Sequence, residues 1–460
     1  MLPLVLGAAR LKAQDFDLNG ISAAEVRTMD TSAAEPGLPQ PARHETQTVQ
    51  KEWTVMVFMN AKNDLSQSSL FGLSGKWAVK DMDEMKKVGT TDIVNVVVDY
   101  GTTGKGAKRM LIKHDGLLSD GEKVYSRDAN ADMGDYRRVI DFVKWSKKNF
   151  PARRYMLVLW NHGLGWIDPV MKEPAGTGAN KGMLFDDETK NYVRTRELGE
   201  ILRQAGYVDV FAMNACMMQM AEIAYEVKDN TGLIVASEET MLAYGFDYEK
   251  LLKFLNAEPG ADNDRISDFF INWERDFMAG GAHLIGPVNL PLTSVPATIS
   301  TLRPEALNSL PAYLDAFAGA AMRNNETEAV KTAVATAIRF TSLDPKNDKK
   351  KLLAAYTDLY DFTRIVGQNA VSPETRQAAD SLMNFIKKTL VIRSLGINGD
   401  PENGYDYANA GGIAINMTMK IKAVPAQLDA IFETKYGDLS LSKASQWDEF
   451  VTWTDGVWRK

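Results

Sequence analysis

From Trp53 onward the chain alternates between short, nearly continuous apolar runs and amphipathic segments. Thr54–Met59 and the valine-rich Ile93–Asp99 have the pattern of strands covered on both faces. Tyr155–Trp160, Asp209–Met213 and Leu233–Ala236 repeat it. Between these runs the spacing predicts a helix through Lys80–Lys87 that stops at Gly89. A second helix follows the N-cap Asp135, with Tyr136, Val139, Ile140 and Val143 on one face, and Pro151 closes that segment. Further helices are predicted over Thr195–Ala205 and Met217–Lys228, and a loop with a hairpin over Gly101–Val124. Strands alternating with helices at this spacing imply βαβ units and a mostly parallel sheet between helices. In such sheets, sites form beyond the C-terminal ends of the strands.

The pattern changes at both ends of the chain. Residues 1–50 lack periodicity and cluster Pro36, Pro39 and Pro41, which reads as a leader, pro-segment or linker. Beyond about residue 255, helical patterns run through 264–279, 304–323, 350–366 and 373–390, with apolar runs at 283–290 and Gly411–Asn416. The expected organisation is an α/β domain over residues 51–255 and a mixed α/β extension over 256–460, without internal repeats.

Composition then narrows the function. Of 460 residues, 45% are hydrophobic and 25% charged, enough for a sizeable core. A net charge of -7 does not support a basic nucleic-acid footprint. No window reaches the ~18 apolar residues of a membrane-spanning helix. The apolar Met1–Ala9 is short, with its first cation at Arg10, and reads as an export-signal remnant or a simple leader.

The single cysteine, Cys216, excludes an intrachain disulfide and a cysteine zinc cluster. A lone thiol is either a small buried hydrophobe or a group kept for reactivity. Its position bears on the choice. The third strand runs out into Trp160–Trp166, which carries His162, and the fourth into Met213–Met217, which carries Cys216. If those strands are neighbours, both side chains emerge at one sheet edge. A thiol of pKa ~8.5 needs a nearby imidazole to hold it as thiolate or to protonate a leaving amine. A helix starting at Met217 would lower the thiol further. The N–H groups of Gly163 and Cys216 are the natural oxyanion donors. The competing reading is plain packing, since Met217, Met220, Ala221 and Ala224 also follow helical spacing.

Other features rank below this pair. Asp128, Asn130 and Asp132 have partial calcium-loop spacing, but the glycine falls one place late, and a capping loop is the competing reading. Asn398, Asp400, Asn403 and Asp406 form a second oxygen-rich loop, with a turn as its plain reading. His44, His114 and His283 have no persuasive partners, and there is no Walker, HExxH or GxSxG motif.

The apolar strand ending in His-Gly, followed by one ending in Asx-Ala-Cys, resembles the caspase/gingipain/legumain clan of cysteine peptidases. Within it the chain is most similar to the clostripain-like family, C11. The similarity is carried by Trp53–Asn60, Met82–Gly89, Asp141–Asn149, Tyr155–Trp166, Phe185–Thr189, Asn214–Cys216 and Val235–Thr240. It implies a caspase-like three-layer α/β/α sandwich, His162 as catalytic histidine and Cys216 as nucleophile. It also implies peptide or protein substrates cut after Arg or Lys, with no cofactor in the chemistry and calcium as a structural or activating ion. Synthesis as a self-cutting zymogen, export, and action as a monomer complete the expectation. The loop 171–182 offers Lys172 and Lys181 for processing. One departure stands out: relatives place Asp two residues before the nucleophile, as part of an acidic specificity pocket, and this chain has Asn214. The resemblance points to Glu238, Glu239 and Asp247 as acids that would compensate. A non-basic specificity, or a relative that only binds peptides, are the alternatives.

Overall fold

The computed structural model describes residues 50–66, 77–116, 120–170, 182–280, 282–285, 288–290, 295–340, 355–400, 404–418 and 432–460. The leader over 1–49 and the processing residues Lys172 and Lys181 lie outside the described residues. Strand β1 (Lys51–Ala61) is central because almost every residue in it is apolar or buried. Its neighbours are β2 (Val94–Thr102) and β5 (Ala152–Trp160), both parallel. From β2 the chain turns back through β3 (Gly106–Ile112) and β4 (Glu122–Asp128), which are antiparallel and include the expected hairpin. On the other side β5 pairs in parallel with β6 (Val210–Asn214), and β6 with β7 (Ile234–Ala236).

Two strands from beyond residue 255 continue the same sheet. β8 (Ala297–Leu302) pairs antiparallel with β7, and β9 (Val391–Ile397) with β8. Among the described residues the sheet therefore has nine strands, in the order β9-β8-β7-β6-β5-β1-β2-β3-β4. The predicted break near residue 255 does not interrupt it, and Gln50–Lys460 pack as one unit.

Alternation along each strand builds a core on either face. In β1, Met56 and Phe58 enter one core and Val55, Val57 and Met59 the other. The first core is covered by α2 (Tyr136–Asn149), α3 (Thr195–Ala205) and α4 (Ala221–Val227). The second is covered by α1 (Trp77–Val88), α5 (Tyr248–Ala257) and α6 (Asn263–Gly280). The result is a three-layer α/β/α sandwich. Asp135 caps α2 as expected, its carboxylate accepting the Arg137 N–H.

Two expected elements differ, and a third is assigned. The helix predicted from Met217 begins only at Ala221, because residues 215–217 turn and Met217 takes φ 58°. The helix predicted over 350–366 is a strand at Tyr356–Asp358 followed by a helix at Leu359–Asn369, which starts where Asp358 caps it. The apolar run near 411–416 is the partner strand, Ala414–Asn416.

Candidate active site

Strands β5 and β6 are adjacent, and their last residues, Trp160 and Asn214, are register partners. The two strand ends singled out in the sequence thus emerge side by side. Each is followed by a turn that carries the expected residue. After Trp160, the Asn161 amide donates to the carbonyls of Asn60 (2.7 Å) and Phe185 (3.1 Å) while its oxygen accepts the His162 N–H. This pins the turn between β1 and the Phe185 segment. A Cβ on Gly163 would lie 2.4 Å from the Cys216 carbonyl oxygen, so the histidine turn packs directly on the cysteine backbone and only glycine fits there.

His162 Nε2 lies 3.0 Å from Asp64 Oδ1, on the short 3-10 turn Asp64–Ser66 that follows β1. Asp64 is not among the residues singled out in the sequence. The available signal was its place just beyond the C-terminal end of β1, the same sheet edge as the other two turns.

Cys216 is half-buried and donates a long hydrogen bond to the Met241 carbonyl, at 3.9 Å. Burial pushes its thiol up to about 11, the Met241 bond opposes this, and the nearby Glu239 carboxylate adds to it. The expected lowering by a helix N-terminus fails because α4 starts five residues further on and is a short helix of 7 residues.

A cavity of about 200 Å³ opens at this edge, lined by Leu65, Trp160, His162, Asn214, Cys216 and Met241 among others. Its far wall is the loop Thr240–Gly245 that follows β7. Asn214 lines it as expected, with its amide donating to the buried Tyr248 hydroxyl at 3.2 Å.

The three acids expected to compensate for Asn214 do other work. Glu238 is buried and hydrogen-bonded to Asp358. Burial, then the charge of Asp358, pushes it well above the usual carboxylate range. Glu239 accepts from the Tyr407 hydroxyl and from the Thr240 N–H. Asp247 caps α5, accepting the Lys250 N–H at 2.8 Å. None of the three lines the cavity.

The calcium candidates are likewise committed. Asp128 pairs with Arg138 at 2.8 Å and accepts the Asn130 N–H. Asp132 accepts from the Gly134 N–H, the Thr189 hydroxyl and the Asn191 amide. The Asn130 and Gly134 bonds are those of local turns, and the others tie the loop to α2 and to the segment 189–191. No group of three or more His, Cys, Asp or Glu suited to a metal occurs among the described residues.

The clostripain family model matches residues 57–457. The clostripain of Hathewaya histolytica is 23% identical over 415 residues, covering 78% of this chain and 73% of its own. A secreted C11 cysteine protease from Bacteroides thetaiotaomicron, solved with an irreversible peptide inhibitor, superposes with TM-score 0.58 at 18% identity, over 86% of this chain and 99% of that one. An inactive zymogen C11 protease from Parabacteroides distasonis gives TM-score 0.58 at 18% identity, over 86% and 98%. The expected caspase-like sandwich is thus the fold of this chain. Together with a family match from residue 57 to residue 457, this means that the chain belongs to the clostripain family of cysteine peptidases.

Proposed function

We propose that this chain cuts internal peptide bonds with Cys216 as nucleophile and His162 as acid and base, and that it is made as a precursor that cuts itself. The register pairing of Trp160 with Asn214, which sets both turns on one cavity, carries this reading. Since Asp64 engages Nε2, Nδ1 is the nitrogen that takes the Cys216 proton. The thiolate adds to the substrate carbonyl, and the N–H groups of Gly163 and Cys216 hold the oxyanion. Imidazolium returns the proton to the departing amine as the C–N bond breaks. Water then hydrolyses the thioester and regenerates the thiol. The chemistry draws on no cofactor.

The Cys216 thiol donates to the Met241 carbonyl, which supports the precursor reading. The zymogen form of the similar Parabacteroides distasonis protease supports it too. We extend the proposal to export and to action as a monomer. No described helix is long and apolar enough to cross a membrane, and the Bacteroides relative is a secreted protease. Arg or Lys before the cut bond comes with the resemblance. The uncharged lining around Asn214 favours the alternative, developed below.

Hydrolysis of a fluorogenic peptide library tests the dyad. His162→Ala and Cys216→Ala should each lower kcat/KM by at least about a thousandfold. Wild-type rates in either variant would overturn it.

A further inference from the structure

We infer that the cavity beside Cys216 selects an uncharged side chain before the cut bond, with Asn214 as the residue that sets this preference. The inference rests on the peptidase reading above and names its substrate class. None of the described residues that line the cavity is a carboxylate. Asn214 sits at the end of β6, 5% exposed, directly against Gly245: a Cβ on that glycine would lie 2.6 Å from the Asn214 amide nitrogen. One of its two N–H donors goes to the Tyr248 hydroxyl. The floor therefore offers a dipole and no charge.

The carboxylate behind it is also committed. Asp81 on α1 is fully buried and accepts the Trp160 indole N–H at 2.7 Å, with the Lys80 ammonium at 3.1 Å on its other oxygen. It lies behind the indole, which itself lines the cavity, and its charge is met by Lys80. Glu238, Glu239 and Asp247 are engaged as described. A guanidinium or ammonium entering here would shed its water and meet no carboxylate among the described residues that line the cavity. An uncharged side chain of the size of Leu, Met or Gln instead packs on Leu65, Trp160 and Met241 and keeps the amide as its one polar contact.

The test separates the pocket from the chemistry. Peptides that differ only in Leu, Met, Gln, Arg or Lys before the scissile bond are bound, by calorimetry, to the full chain carrying Cys216→Ala and processed in trans by wild-type protein, and are turned over by the wild-type chain. Binding and kcat/KM should both favour the uncharged residues at least tenfold. Asn214→Asp, made in both backgrounds, should bring Arg and Lys level or ahead. Equal or tighter binding of Arg or Lys peptides to the chain with Asn214 intact overturns the inference, even if Asn214→Asp does not fold. Selective binding of uncharged peptides without any turnover upholds the pocket and overturns the peptidase reading instead.

Discussion

Asp64 holds His162 Nε2 at 3.0 Å although its side chain is 58% exposed. An exposed carboxylate contributes little to stability, so the contact matters through the orientation of the ring. Asp64→Ala should lower kcat about tenfold with KM nearly unchanged, while Asp64→Asn, which keeps an acceptor oxygen, should recover most of the rate. Steady-state kinetics on the three chains check this; equal losses in both variants would show that the charge matters more than the orientation. At this scale the sequence told part of the story. His162, Gly163, Asn214 and Cys216 were legible because they follow strand ends, and strand ends are readable from apolar runs. Asp64 and Met241 were not, because their roles come from contacts between turns far apart in the chain. Glu238, Glu239 and Asp247 misled for the same reason. Acidic residues near a strand end look like pocket lining until their partners, Asp358, Tyr407 and the α5 N-terminus, are known.

Among the elements, the loop Thr240–Gly245 is the one on which the cavity depends. Gly245 takes φ +56° and abuts the Asn214 side chain. Gly245→Ala meets both a backbone penalty and a clash, and should cost roughly 1–3 kcal/mol of stability along with most of the activity. Denaturant melts paired with peptide hydrolysis would check it; a variant as stable and active as wild type would mean that the loop does not close on Asn214. The five parallel strands of the first 255 residues were predictable because apolar runs buried on both faces leave few alternatives, while their order, including the pairing of β5 with β6, came only from the structure. The short turn before α4 was not predictable. Helical spacing of Met217, Met220, Ala221 and Ala224 reads the same whether the helix begins at 217 or 221, and the φ of 58° at Met217 carries no sequence signal.

Across the whole molecule, the region beyond residue 255 turns out to brace the site. Its strands β8 and β9 extend the central sheet. Its Tyr356 hydroxyl donates to the Leu164 carbonyl, just past the histidine turn, at 2.5 Å. Gln219, just past the cysteine turn, donates to Ser300 in β8. Cutting the chain at 255 would bare the edge of β7 and strip both turns of these bonds. A fragment of residues 51–255 should therefore lack a cooperative melt and peptidase activity; a fragment that melts cooperatively and cuts peptides would show that the brace is dispensable. The sequence pattern located helices and apolar runs in this region but not their purpose, since sheet pairing across more than 60 residues leaves no local trace.

The dyad is tested most directly by intact-mass spectrometry of the processed chain, cut in trans where it does not cut itself, after treatment with peptidyl chloromethyl ketones bearing Leu or Arg before the reactive carbon, which lose chloride as the thiolate is alkylated. With one cysteine in the chain, a thiol adduct has a single address. Wild-type protein is predicted to gain one adduct at Cys216, and His162→Ala to gain essentially none in the same time. No adduct on the wild type, or equal labelling of both proteins, would contradict the proposed Cys216–His162 chemistry.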